Sequence, residues 1–137
     1  EFPRVQEGDS TFIRTWFYFH HLWSRAKRRY IMDWASDFDI FGIMAPGKPG
    51  WLIVEGMTRD VKQFEKRLKM FSWKEFISVR TQKLETRVFS QMEEILDPVI
   101  RDREKNSDEF VSIPLDLVSL QKKLEQYGLD TDLPMCG

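Results

Sequence analysis

The chain has 137 residues, 42% of them hydrophobic, which predicts one globular domain and excludes a disordered chain. No run of about 18 apolar residues is present, so no transmembrane helix is predicted, and no signal peptide is visible. The net charge is -1, but residues 1–83 carry 15 Lys and Arg against 10 Asp and Glu, whereas residues 84–137 carry 6 against 12.

This charge asymmetry favours two interpretations equally: a basic surface on the first part of the chain, or attraction between the two parts. The chain starts Glu-Phe-Pro without Met, which is typical of a fragment or a processed protein. Residues 1–10 are polar and predict a loose lead-in.

Residues 11–19 are dense in β-forming side chains and predict the first strand. Side chains alternate across a strand, so one face carries Ile13, Thr15, Phe17 and Phe19, and the other carries Phe12, Arg14, Trp16 and Tyr18. The first set is the natural core face. Because a strand buried on both sides rarely carries an arginine, we expect the second face to be open.

His20 and His21 follow this strand. Adjacent side chains point in different directions, and a metal site would need further His, Cys or carboxylate ligands at suitable spacing. We therefore expect a structural role at the strand-to-helix corner, and no metal site.

Ser24 predicts the N-cap of a helix that runs to about Phe38. Its apolar residues form one stripe at three- and four-residue spacing. The basic residues lie mostly off that stripe: Arg25, Lys27, Arg28 and Arg29. This basic face predicts either plain solvation or contact with nucleic acid or an acidic partner.

Residues 40–56 predict a β-hairpin with a Pro-Gly-Lys-Pro-Gly tip. Pro46 and Pro49 cannot donate hydrogen bonds within a sheet, and Gly47 and Gly50 allow a tight reversal. Lys48 lies at the tip, where solvent or a ligand would meet it. Because Lys48 is followed by proline and a strand, the tip is not a Walker phosphate loop.

Thr58 predicts the cap of a second helix with Val61, Phe64, Leu68 and Phe71 on one face, and residues 76–81 predict another strand. The order strand, helix, strand, strand, helix, strand is typical of a ferredoxin-like α+β fold. We expect residues 11–83 to form this core, with two helices on one face of a four-stranded antiparallel sheet. The first and third strands would be central. The opposite face would be open unless the acidic C-terminal part covers it, in which case Trp16 would be a core residue.

Residues 84–137 predict a C-terminal extension. Residues 88–96 suggest a helix or an extended segment ending at Pro98, and Arg101 to Glu109 suggest a mobile loop. Pro114 predicts the first turn of a helix near 114–127, with Leu117, Leu120 and Leu124 on one stripe and Gly128 at its end. The single cysteine, Cys136, lies in the tail, and its solitary occurrence favours an intracellular protein.

The chain resembles the C-terminal domain that follows an RWD domain in the RWD-domain-containing protein two group. The matching stretches are Trp16-Phe-Tyr-Phe-His-His21, Lys27-Arg-Arg-Tyr-Ile-Met-Asp-Trp-Ala35 and Gly42-Ile-Met-Ala-Pro-Gly-Lys-Pro-Gly50, continued by Ile53-Val-Glu-Gly56 and Phe64-Glu-Lys-Arg-Leu68. The last two are also similar to the C-terminal domain of the spliceosomal pre-mRNA-processing factor three. That domain is ferredoxin-like and binds small nuclear RNA, but it lacks the Gly-Lys-Pro-Gly tip. The closer resemblance implies no enzyme activity.

Two binding functions follow, and no cofactor or membrane contact is expected. The first is an RNA-binding module that uses the open sheet face. Its candidate residues are Trp16 and Tyr18 for base stacking, Arg14 and Arg80 for phosphate contact, and Arg25, Lys27, Arg28 and Lys48 as an extension of the basic track. The alternative is a protein-interaction domain that accompanies an RWD domain. An enzyme is not expected, because no nucleophile with a base and an orienting carboxylate is apparent.

Overall fold

The computed structural model describes residues 11–106 and 112–134. Its elements, in chain order, are β1 (Phe12–Phe19), α1 (Arg25–Asp37), β2 (Phe41–Ala45), β3 (Gly50–Met57), α2 (Thr58–Leu68), β4 (Phe76–Leu84), β5 (Met92–Glu94), α3 (Pro98–Asn106) and α4 (Leu117–Gln126). The predicted order of strands and helices from β1 to β4 is present. The predicted lead-in, residues 1–10, and Cys136 lie outside the described residues.

The sheet has five strands in the order β4-β1-β3-β2-β5. β1 pairs antiparallel with β3 and β4, and β2 pairs antiparallel with β3, so β1 and β3 are interior strands as predicted. The prediction of a four-stranded sheet is wrong, because β5 joins parallel to β2 with Met92 beside Gly42. The molecule is therefore an α+β domain whose sheet is extended by part of the C-terminal segment.

One face of the sheet packs against α1 and α2. Ile31 and Ala35 from α1 form one core with the apolar side chains of β1 that were expected to face it and with three of the four predicted α2 residues, namely Val61, Phe64 and Leu68. The fourth, Phe71, lies beyond the end of α2 and outside this core. Ser24 caps α1 as predicted, its Oγ accepting a hydrogen bond from Lys27 N (3.2 Å). Thr58 does not cap α2; it is the first helical residue, and its hydroxyl donates to the Thr11 carbonyl (2.8 Å).

The opposite face is closed, contrary to the prediction. Trp16, Ile43, Trp51 and Ile53 form a second core there with Phe89, Leu120, Leu124, Leu129 and Leu133. The physical reason is the leucine stripe of the extension, which removes apolar surface from water only if it packs against this face. The helix itself starts later than predicted, since Asp116 is its N-cap. Leu117, predicted on its apolar stripe, is 37% exposed.

The chain between β5 and α4 is also more regular than expected. α3 covers residues 98–106, so the predicted mobile loop is wrong up to residue 106, and residues 107–109 lie outside the described part.

The hairpin is confirmed, with Ala45 opposite Trp51. Gly47 has φ +147°, and a Cβ there would lie 2.5 Å from the Leu115 Cα. In the described part of the chain, no helix combines the length and the apolar character needed to cross a membrane.

Candidate nucleic-acid interface

The predicted stacking and phosphate residues of β1 belong to a buried polar network. Arg14 and Glu55 face each other across β1 and β3, and both are almost fully buried. Arg14 Nη2 and Nε donate to Glu55 Oε2 at 2.7 and 3.1 Å. The second carboxylate oxygen accepts the backbone N–H groups of Val88 (2.8 Å) and Phe89 (2.9 Å). Glu55 thus fixes the segment after β4 to the closed face.

The other candidates on this face are occupied too. Trp16 is fully buried, and its indole N–H donates to Gln82 Oε1 (2.8 Å). Half-buried Tyr18 packs edge-on against Trp51 with ring centroids 5.4 Å apart. Arg80 Nη1 donates to the Asp132 carbonyl (2.6 Å). The prediction that these side chains form an open binding face is therefore wrong, because the C-terminal segment covers them.

Arg28 is a further correction. It lies within the basic run of α1 but is buried, and it forms ion pairs with Glu94 of β5 (2.6 Å) and with Glu104 of α3. Its Nε also donates to the Trp23 carbonyl (3.2 Å). Arg28 therefore ties α1 to the C-terminal segment. Arg25 stays exposed, with Nη1 donating to the Glu104 carbonyl (2.7 Å).

A different basic surface forms at the end of β1. We call it the basic corner and define it as His20, His21, Lys27, Lys48 and Lys74. Backbone hydrogen bonds assemble it: His20 N donates to Glu75 O (3.0 Å), and Leu22 N donates to Gly47 O (2.8 Å). These bonds place Lys74 beside His20 and Lys48 beside His21. Lys48 and Lys74 are exposed.

Aromatic rings lie within this corner. The rings of His21 and Trp23 are stacked, with centroids 4.2 Å apart and an interplanar angle of 19°. Lys27 Nζ lies 4.4 Å from the centroid of Trp73 and donates to the Ser72 carbonyl (2.6 Å). The corner therefore combines cations with half-buried rings, the two features that single-stranded nucleic acids require of a surface.

The electrostatic field at this corner is positive. The pKa of His21 is lowered from its ordinary value of 6.5, first by burial and then by the positive charges of the other members of the corner. A site that disfavours protonation of a histidine through neighbouring cations favours an incoming anion for the same reason. Glu75 is the exposed acidic residue next to Lys74 in the sequence.

Sequence reasoning identified Lys27 and Lys48 as candidates but missed Lys74 and the histidines. The members come from three segments separated by tens of residues, and nothing in the local pattern indicates that they meet. The described residues contain no group of three or more His, Cys, Asp or Glu side chains that could hold a metal ion.

Comparison with known proteins gives one family match. The model of "Small nuclear ribonucleoprotein Prp3, C-terminal domain" matches residues 15–113. Among curated proteins, "Phomoidride biosynthesis cluster protein F" of a fungal species (strain ATCC 74256) is 34% identical over 76 residues, 56% of this chain and 25% of that protein. The chain thus spans about a quarter of that relative. The resemblance to the RWD-domain-containing group stays a prediction.

Two solved structures share the fold at low sequence identity. The BLUF protein BlrB in its dark state has a TM-score of 0.56 and 14% identity, covering 91% of this chain and 99% of that one. A bacterial light-regulated adenylyl cyclase has a TM-score of 0.53 and 12% identity, covering 88% and 39%. At these identities the likeness concerns the fold alone.

Proposed function

This chain belongs to the family of the C-terminal domain of the small nuclear ribonucleoprotein Prp3, and we propose on this premise that it is a non-catalytic RNA-binding domain. The basic corner, and not the sheet face, is the proposed contact surface. The scaffold that presents it is an α+β domain with a five-stranded sheet in the order β4-β1-β3-β2-β5. An intracellular, nuclear setting accords with a ribonucleoprotein family.

The observation that carries this proposal is the convergence of the basic corner. Lysines are point charges suited to phosphate oxygens. Lys48 and Lys74 are exposed, and neither forms an ion pair with another described residue, whereas Arg14 and Arg28 are buried and ion-paired. The stacked His21–Trp23 pair offers a partly exposed aromatic surface, and stacking on such a ring is worth about 1–3 kcal/mol per base. Arg25, at the start of α1, extends the surface. The surface would contact RNA through phosphates and by base stacking, so we expect weak sequence preference.

The test is fluorescence anisotropy of a labelled single-stranded RNA of about ten nucleotides, measured over a range of salt concentrations. The Lys48→Glu/Lys74→Glu variant should lose at least tenfold in affinity. Each lost phosphate contact on a single strand lowers the log–log salt slope by about 0.7, so the slope should fall by about 1.4. The matched control is Lys62→Glu/Lys83→Glu, which makes the same change of charge at exposed positions outside the corner.

A second readout is pH. Because neighbouring cations and burial lower the pKa of His21, a bound phosphate should raise that pKa again, so binding should tighten as the pH falls from 7.5 to 5.5. His21→Gln should abolish this dependence. Equal losses in the corner and control variants, or no binding at low salt, would contradict the proposal.

The alternative, a protein-interaction domain, is favoured by one observation on a neighbouring surface. A solvent-exposed aromatic groove lies between α1 and the end of α2.

A further inference from the structure

The groove has a volume of about 440 Å³ and is lined by Tyr30, Trp34, Arg67, Met70 and Phe71. It lies on the outer surface of the helical layer. Met70 is 82% exposed and Tyr30 is 49% exposed, so they are among the most exposed large apolar side chains of the described residues. Exposure of this much apolar surface costs free energy unless a partner covers it.

The floor of the groove is formed by packed aromatic rings. The rings of Trp34 and Phe71 are stacked with centroids 5.3 Å apart and an interplanar angle of 18°. Tyr30 lies 5.5 Å from each of them. Met70 forms one wall, and a thioether side chain adapts to apolar groups of different shape. An aromatic floor beside an adaptable methionine suits the insertion of an aliphatic or aromatic side chain.

The ring contacts argue against a nucleobase as the occupant. Base stacking needs a free ring face. Trp34 and Phe71 stack on each other, and a cation lies near each ring: the Arg67 guanidinium is 5.9 Å from the Trp34 centroid and Lys27 Nζ is 5.7 Å from the Phe71 centroid. The most exposed apolar side chains left to a ligand are Met70 and Tyr30.

The charges around the groove are arranged by helix. The α2 side carries Lys66, Arg67 and Lys69, all exposed, whereas the α1 side carries Asp33 and Asp37. Two of the α2 cations have acidic neighbours, since Arg67 lies 3.9 Å from Asp37 and Lys69 lies 3.1 Å from Glu65. At the start of α1, Lys27 Nζ lies 5.7 Å from the Phe71 centroid. A partner that follows α2 would therefore be complementary if its facing side is acidic.

We propose that this groove docks an acidic amphipathic helix of a partner protein, with one large apolar side chain inserted beside Met70. This is the helix-in-groove mode, in which apolar anchors recur at three- or four-residue spacing. None of the side chains that line the groove belongs to the basic corner, although Lys27 of the corner lies beside Phe71. The domain can therefore hold RNA and a protein partner on neighbouring surfaces.

The experiment uses a fluorescein-labelled synthetic helix of about 16 residues with leucines at i, i+4 and i+7 and glutamates between them. Titration of this peptide with the 137-residue chain, followed by fluorescence anisotropy, should give saturable binding. Met70→Asp should weaken it at least tenfold, because a carboxylate meets both the apolar anchor and the acidic peptide. Val118→Asp is the matched control, since Val118 is 63% exposed on α4 and lies outside the groove.

Further variants and competitors distinguish a protein partner from RNA in the groove. Tyr30→Ala provides a second groove variant that adds no charge, and it should also weaken binding. The Lys48→Glu/Lys74→Glu variant should bind the peptide as the unaltered protein does. Equal affinity of Met70→Asp and Val118→Asp, or equal binding of a peptide with lysines in place of glutamates, would overturn the proposal. Displacement of the peptide by single-stranded RNA in a manner sensitive to Met70→Asp would assign the groove to RNA instead.

Discussion

Glu55 connects Arg14 of β1 to the backbone of Val88 and Phe89, and Glu55→Ala tests that role directly. The change removes both hydrogen bonds to Arg14 and the acceptor of the Val88 and Phe89 amides. Arg14 is only 4% exposed and would be left as a buried cation without its carboxylate. The damage therefore comes from the groups left behind as well as from the bonds that are lost.

Removing one member of a buried ion pair costs about 3–5 kcal/mol. Domains of this size unfold with a free energy of about 5–15 kcal/mol, so the loss is a large fraction of the total. With a urea m-value of about 2 kcal/mol per M, the unfolding midpoint should fall by about 2 M. The assay is urea unfolding followed by far-ultraviolet circular dichroism and by tryptophan fluorescence.

The matched control is Arg14→Met/Glu55→Gln. The glutamine keeps an oxygen for the two amides, and the methionine removes the cation, so no buried charge remains. Since neutral replacements of a buried pair are often tolerated, this double variant should be more stable than Arg14→Met alone or Glu55→Gln alone. A loss below about 1 kcal/mol in Glu55→Ala would refute the reasoning. Simple addition of the two single losses in the double variant would refute it as well.

Two further predictions concern how the C-terminal segment is held. Burial raises the pKa of Glu93, but hydrogen bonds from Lys123 and Tyr127 outweigh burial and lower that pKa below 4.5. The contribution of Glu93 to the free energy of unfolding is therefore complete above about pH 4.5, and it is lost as the pH falls through the lowered pKa of the folded state. Urea unfolding between pH 7 and pH 3 should show this loss, and Glu93→Gln should flatten it; an unchanged slope would contradict the assignment. Gly47→Ala should destabilise the domain by more than about 1 kcal/mol, because φ is +147° and the new Cβ would meet Leu115. Thermal unfolding would check it, and a neutral effect would show that the tip shifts without cost.

Local pattern was enough to predict much of the scaffold. Alternation by two along β1 identified the side chains that face α1 and α2, and three- and four-residue spacing identified the buried stripe of α2. Proline and glycine marked the hairpin tip. These signals are local because backbone geometry sets the period of each element. The short strand β5 gave no such signal, since its pairing with β2 depends on residues about 50 positions away.

The sequence by itself determined α1, α2, the hairpin and the core face of β1, because each follows from side chains close together in the chain. Only the tertiary structure decided which charges are buried. Arg14, Arg28 and Glu55 look like solvated residues in the sequence, yet each finds its charged partners 41 to 76 residues away. A charge can leave water only where an opposite charge or a hydrogen-bonding group meets it, and that meeting is a property of the fold.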